Sequence, residues 1–285
     1  MKRKLLITAT LFLAVFYPLQ NLQAQSKEDS LAFVSAEWNW QELGKGALAG
    51  NARISIFGSI QNISIVKYPA KKFRTGIMNF PGAEAGPTDS LAMKSKASIA
   101  INGSYFNTRT ICPHTFLSIG HKVQGESPAD ELQRSNGILA FKDRKGRKID
   151  IFPCDSTEYE SYRKEYYSAI AAGPLLLSDG KEAFIDTDSK FNSDRHPRSI
   201  MGYDRNGYYH MIVIDGRFPG QADGITIKEA AAIAIYAGLY EAINLDGGGS
   251  STLWTEPTGV INHPSDNKRF DHSGCRTVPT IIIAR

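Results

Sequence analysis

Apolar and polar positions alternate at the strand period over Ala52–Phe57 and Asn62–Lys67, and a small, apolar run follows at Ala97–Ile101. Two further pairs of such runs flank tight polar turns. Gly137–Phe141 and Lys148–Phe152 enclose Asp143-Arg144-Lys145-Gly146, while Ser199–Tyr203 and Tyr208–Ile214 enclose Asp204-Arg205-Asn206-Gly207. Both predict hairpins, with Asn-Gly the stronger turn signal. Ala169–Leu177 reads as a strand broken by Gly173-Pro174, and Val278–Ala284 as the last strand.

Helical signals are fewer. Thr88-Asp89-Ser90 offers caps for a short helix ending near Lys96, and the charged, aromatic Thr157–Tyr167 predicts a surface helix. The strongest signal is Thr226-Ile227-Lys228-Glu229, a capping box in which the hydroxyl and the carboxylate each satisfy an orphan N–H. Apolar residues on both sides of the following turns predict that this helix is buried, and Gly238 ends it. Hairpins with few helices predict an α+β class: a single domain on a mixed, largely antiparallel β-sheet with a buried central helix.

The first residues do not fit that domain. Met1-Lys2-Arg3-Lys4, the apolar run Leu5–Phe16 and the small-residue end at Ala24 have the order of a secretory signal peptide over 1–24. Residues 25–37 then read as a flexible lead-in, and 38–285 as the domain. The expected location is the periplasm or the extracellular space. Without the three basic residues of that signal, 30 basic face 29 acidic residues, so the basic pI belongs to the leader and nucleic acid is excluded as a partner. No later segment is long and apolar enough for a membrane span. Cys112, Cys154 and Cys275 allow one disulfide at most and lack zinc spacing. A monomer is the expected state.

Candidate chemistry collects at strand ends. Asn244-Leu245-Asp246-Gly247-Gly248-Gly249-Ser250-Ser251 predicts a strand, a tight turn and a strand, in which successive glycine N–H groups line a concavity for an oxyanion with Asp246 on the rim. Asn102, Arg198, Asp215 and Arg276 close other strands, with His114 and His196 as lesser candidates. Guanidiniums match phosphate or carboxylate, and Asp215 and Asp246 can divide acid/base or nucleophilic work. The structural alternatives are turn-forming for both Asp-Gly steps, an ion pair for Arg198 and carbonyl anchoring for Arg276.

Ala100–Phe106, Ala172–Leu176, His196–Ser199, Val213–Arg217 and Asn244–Ser251, closed by Arg276-Thr277-Val278, resemble in order the motifs of the phosphodiester glycosidase family over roughly residues 44–285. The resemblance implies an exported hydrolase that cleaves a sugar-1-phosphodiester of GlcNAc-1-phospho-sugar type, in glycan or envelope polysaccharide metabolism, with a phosphorylated carbohydrate as substrate. It assigns catalysis to Asp215, Asp246, Arg198 and Arg276. Substrate binding falls to Asn102, Gly103, Gly173, Asn244, Gly247, Gly248, Gly249, Ser250 and Ser251. Ser104-Tyr105 departs from the second glycine and different aromatic of many members, which is expected to narrow the pocket. No cofactor is implied. A second reading is a metal-assisted phosphodiesterase, because Asp215, Asp246 and Asn244 are hard oxygen donors for a divalent cation. A third is a non-catalytic phosphoglycan-binding or exopolysaccharide assembly protein.

Overall fold

The computed structural model describes residues 27–285. The expected signal peptide lies outside the described residues.

Of five described sheets, two of them only two-stranded, the three larger ones surround one core, and every described strand pairing is antiparallel. The largest has eight strands in the spatial order Asn39–Gly44, Ala47–Ile56, Ser59–Pro69, Tyr208–Ile214, Arg198–Tyr203, Glu241–Asn244, Leu175–Ser178 and Lys181–Glu182. Phe57 and Gly58, both at positive φ, make the two-residue turn between its second and third strands. That is the turn geometry whose twist matches paired strands. A second sheet is built on Leu117–Ile119, Ser168–Ala172, Gly137–Phe141 and Ile149–Pro153, with Lys122–Gly125 at one edge. A third orders Gly259–Val260, Leu253–Thr255, Ile99–Asn102, Thr280–Ala284 and Thr75–Asn79.

The period-two pattern sends one set of side chains inward from each sheet. Val66, Met211 and Ile243 of the first, Leu139 and Ile170 of the second, and Ile101 and Ile282 of the third meet in a common core. Alternate residues face outward, and one helix covers each sheet. Ile227–Tyr236 packs on Ile65, Ile200 and Ile212, Tyr159–Glu165 on Ile138 and Ala169, and Thr88–Lys94 on Ala100 and Ile281. Sheets buried on both faces explain why the strands read as apolar runs.

Both predicted hairpins form, and the capping box is present with both reciprocal bonds. Four readings are refined. Ser168–Ala172 and Leu175–Ser178, read as one interrupted strand, belong to different sheets, because the chain changes sheet at the cis Gly173–Pro174 peptide. Tyr159–Glu165 is not purely a surface helix: Tyr162 is buried, as is Tyr166 just beyond it. Helix Ile227–Tyr236 lies against its sheet with Lys228 and Ile235 open to solvent. Residues 27–34, expected to be a flexible lead-in, are helical, because Phe33 packs edge-on to Trp38 at 5.2 Å and joins the outer core. The three thiols are unpaired, and no described helix is long and apolar enough to cross a membrane.

Thr226→Ala removes the hydroxyl that accepts from the Glu229 N–H at 3.1 Å. The expected loss is about 1 kcal/mol, read as a lower urea midpoint with an unchanged slope.

Candidate active site

The first and third sheets meet where strand ends leave backbone groups without ladder partners, and Asn102 fills that gap. Fully buried, it donates through Nδ2 to the Asp246 carbonyl at 2.6 Å. Its Oδ1 accepts from Ser199 Oγ at 2.8 Å and from the Thr252 N–H at 3.2 Å. The Asp246 N–H returns a bond to the Gly103 carbonyl at 3.0 Å. Gly103 has no room for a Cβ, which would fall 2.2 Å from Thr280 Oγ1. Asn102 and Gly103 therefore hold Asp246 by its main chain.

Asp246 as a whole residue is half-buried. Burial lifts its pKa to about 6, against the opposing pull of the Ser250 hydroxyl, the Arg134 and Arg276 guanidiniums and the Gly247 amide. Burial also lowers the pKa of Arg217, helped by Arg276, while Asp266 and Asp246 oppose the shift. Three guanidiniums thus share one field with Asp246. Arg276 is tied to Asp266 through Nε at 2.7 Å and Nη2 at 2.5 Å. Arg134 grips Glu131 in a fork at 2.6 and 2.5 Å, and its guanidinium lies 4.2 Å over the Tyr105 ring.

The glycine triplet works through absent side chains. A Cβ on Gly248 would fall 2.8 Å from Arg217 Nη2, and one on Gly249 would fall 2.6 Å from Arg276 Nη2 and 2.5 Å from Asp266 Oδ1. The triplet is therefore a floor on which two guanidiniums lie. This differs from the predicted amide nest: the Gly248 N–H is already bonded to the Pro197 carbonyl at 2.9 Å, and a 3-10 turn runs over Gly248–Ser250. The segment is also not a hairpin turn, since Glu241–Asn244 and Leu253–Thr255 lie in different sheets.

The other expected residues divide between lining and support. Asn244 is buried and donates to the Gly173 and Leu245 carbonyls at 2.8 and 2.7 Å. The Gly173 carbonyl also accepts the Tyr105 hydroxyl, and a Cβ at Gly173 would meet the Arg134 carbonyl at 2.5 Å. Gly173 thereby brings the Arg134 segment close. Ser250 and Ser251 are buried, and the Ser251 carbonyl accepts from Asn262 Nδ2 at 3.0 Å.

Arg198 and Asp215 turn inward. Arg198, 1% exposed, donates through Nε to the Ile225 carbonyl at 3.1 Å and through Nη2 to the Phe191 and Asp194 carbonyls at 2.7 and 2.9 Å. Burial lowers its pKa to about 10. Asp215, also 1% exposed, accepts from Asn62 Nδ2 at 2.7 Å, Asn262 Nδ2 at 3.0 Å, and the His263 main chain and Nδ1 at 3.0 Å. Those donors fill the lone-pair directions of both oxygens. Both residues brace the loops beside Asp246. Burial, Arg198 and Arg217 lower the pKa of His196, whose Nδ1 has no partner among the described residues. In the hard-donor set of Asp215, Asp246 and Asn244, both Asp215 oxygens are already engaged by Asn62, Asn262 and His263.

Arg134 and Arg217 were missed as site residues. Arg217 stands inside a quoted motif directly after Asp215-Gly216, which marked it. Arg134 lies in an irregular stretch where only its i,i+3 spacing from Glu131 was a signal.

The phosphodiester glycosidase family model matches residues 95–285. The bovine N-acetylglucosamine-1-phosphodiester alpha-N-acetylglucosaminidase is 34% identical over 203 residues, which is 67% of this chain and 37% of that protein. The human protein of that name is 34% identical over 95 residues, 33% of this chain and 18% of its own. The matched part of this chain thus spans well under half of these relatives. Among solved structures, the zebrafish catalytic domain of that name, auto-inhibited by its pro-peptide, superposes with TM-score 0.64 at 17% identity, covering 87% of each chain. A hypothetical protein from Synechocystis superposes with TM-score 0.68 at 14% identity, over 88% of this chain and 64% of that one. At these identities the superpositions carry the fold.

Two outcomes follow from the geometry. The Asp246 carboxyl binds its proton more tightly folded than unfolded, with a pKa of about 6 against 3.8. Its contribution to stability is complete below the lower value and disappears as pH rises through the upper one. Asp246→Asn should therefore raise the melting temperature above pH 7 and leave it nearly unchanged near pH 4, by scanning calorimetry. Gly248→Ala puts a methyl group at φ +61 and 2.8 Å from Arg217 Nη2. It should cost about 1–2 kcal/mol in urea unfolding and displace the Arg217 guanidinium in a crystal structure.

Proposed function

The chain belongs to the phosphodiester glycosidase family, and from that premise we propose that it hydrolyses a sugar-1-phosphodiester at the glycosidic bond, with Asp246 as the reacting carboxylate. One observation carries this reading. Asp246 is a half-buried residue whose carboxyl is lifted by desolvation to a pKa of about 6, beside a glycine floor shared by Arg217 and Arg276. A group titrating there is poised for proton transfer or attack near neutral pH. The bovine relative's name specifies an N-acetylglucosamine-1-phosphodiester, and a substrate of that class is the one proposed here.

The chemistry needs one free carboxylate. In most glycoside hydrolysis a second carboxyl group protonates the leaving oxygen. A phosphate monoester is a weak base and leaves with little help from an acid. Glu131 and Asp266 are engaged by arginines, and Asp215 is closed by its donors. The work left to the protein is to hold the phosphate's charge, which suits Arg217 and Arg276 as fixed, planar, permanently charged donors. Arg134, over the Tyr105 ring, adds a third positive charge to the field at Asp246. Asp246, ionised above its pKa, then either activates water or attacks the anomeric carbon, and both routes use the same protonation state.

The basic, apolar and small-residue order of residues 1–24 supports export, and with it an envelope or extracellular phosphoglycan as the natural substrate. Gly103, Gly173, Asn102 and Asn244 act here through the backbone they hold, and Arg198 and Asp215 by keeping adjoining loops in place.

Turnover of a GlcNAc-1-phospho-sugar in ¹⁸O-water should put the label on the freed GlcNAc. Label on the phosphate, or no product, contradicts the proposal. Asp246→Asn should lower kcat on the order of a hundredfold or more. In the parent protein the acid limb of kcat/KM should have a midpoint near pH 6, activity falling as Asp246 takes up its proton. Arg276→Ala should cost about a hundredfold in kcat/KM for the phosphodiester.

A further inference from the structure

A cavity of about 310 Å³ lies between the edge strand Asn39–Gly44, its neighbour Ala47–Ile56 and the segment 258–272, a size at the lower end of small-ligand sites. We propose that it binds an uncharged sugar ring of the substrate's glycan; calling that ring part of the substrate rests on the hydrolase reading above. The polar lining is Asn39, Gln41, Asn51, Thr258, His263 and His272, without a lysine, arginine, aspartate or glutamate. Such walls have nothing to neutralise an ion. They suit a ligand that hydrogen-bonds without charge.

Both imidazoles are oriented through Nδ1. His263 Nδ1 lies 3.0 Å from Asp215 Oδ2, and His272 Nδ1 lies 2.7 Å from the Asn262 carbonyl, both oxygens that only accept. Asn62 Nδ2 lies 3.2 Å from the same His263 nitrogen and donates to Asp215 Oδ2 at 2.7 Å. Nδ1 of each ring is thus directed at a fixed oxygen, and each Nε2 is left without a protein partner among the described residues. His263 is held flat, its ring 3.8 Å from Phe270 at an interplanar angle of 5° and 4.4 Å from His272.

The amides are fixed in the same way. Gln41 Oε1 accepts from Thr258 Oγ1 at 2.8 Å, which leaves its NH₂ as donor. Asn51 Nδ2 is bound to Ser64 Oγ at 2.9 Å, which leaves its carbonyl oxygen as acceptor. The same lining includes Val260 and Ile261, which offer an apolar wall. Sugar hydroxyls both donate and accept, and a pyranose carries an apolar C–H face. A phosphate, in contrast, would find no lysine or arginine in the lining to hold it.

The cavity is joined to the Asp246 region by hydrogen bonds. Asn262 Nδ2 donates at 3.0 Å to both Asp215 Oδ1 and the Ser251 carbonyl, and Ser251 follows Ser250 beside Asp246. Segment 251–276 thus supplies Arg276 to the charged site and both histidines to the neutral one. Asp215 serves as the positioning residue for His263.

The test measures binding to the full-length chain of an uncharged oligosaccharide, the β-1,4-linked GlcNAc dimer, by calorimetry and saturation-transfer NMR. His272→Ala and Gln41→Ala, both exposed positions, should each weaken binding about tenfold. They should raise KM for a phosphodiester with an extended glycan and leave kcat on a minimal sugar-1-phosphodiester unchanged. Binding that both variants retain in full, or no binding, overturns the proposal. Stoichiometric Zn²⁺ uptake lost in His272→Ala, without sugar binding, also overturns it and assigns the histidines to a metal. The two readings separate cleanly: sugar binding lost in His272→Ala with no turnover sinks the hydrolase reading alone, and turnover without sugar binding sinks this one alone.

Discussion

The Asn102 carboxamide is the interaction on which the site depends. Strand ends buried between two sheets leave amides and carbonyls that water cannot reach, and such groups must find partners inside the protein. Asn102 supplies both kinds at once, giving to Asp246 and receiving from Ser199 and Thr252. Because all of these partners are uncharged, the clamp does not change with pH. It holds the main chain of Asp246 and leaves the carboxylate to its surroundings.

Those surroundings explain why a carboxylate among arginines keeps its proton so well. A close guanidinium normally drives a carboxyl group below its ordinary pKa. Here Arg276 is shared with Asp266 and Arg134 with Glu131, so their positive charge is partly answered before it reaches Asp246. Desolvation then outweighs what remains. Glycine without side chains lets Arg217 and Arg276 approach the floor, and a residue of any other type at Gly248 or Gly249 would push them away. The electrostatics of the site follow from packing as much as from charge.

Much of the fold was legible. Period-two runs, the Asn-Gly turn and the Thr226 capping box are local signals, and the structure forms the elements they describe. Sheet membership was not legible, because strands buried on both faces look alike and nothing in Gly173-Pro174 says that the chain changes sheet there. Within the site, residue type indicated polarity and left direction open. Arg198, bonded to three carbonyls, and Arg276, paired beside Asp246, carry the same side chain. The glycine triplet stands out in the sequence, yet what matters in the structure is the space it leaves, which depends on guanidiniums arriving from elsewhere in the chain. Arg134 and His263 stood in irregular segments, and their roles come from partners over 25 residues away in sequence, Tyr105 and Asp215.

The central claim is that one carboxyl group, held by its backbone and partly desolvated on a glycine floor, titrates near neutrality. Carbon-13 NMR of the Asp246 side-chain carboxyl, assigned by comparison with Asp246→Asn and followed through a pH series, measures this directly. The account predicts a midpoint near 6. A midpoint at or below 3.8, the ordinary value for aspartate, would contradict it.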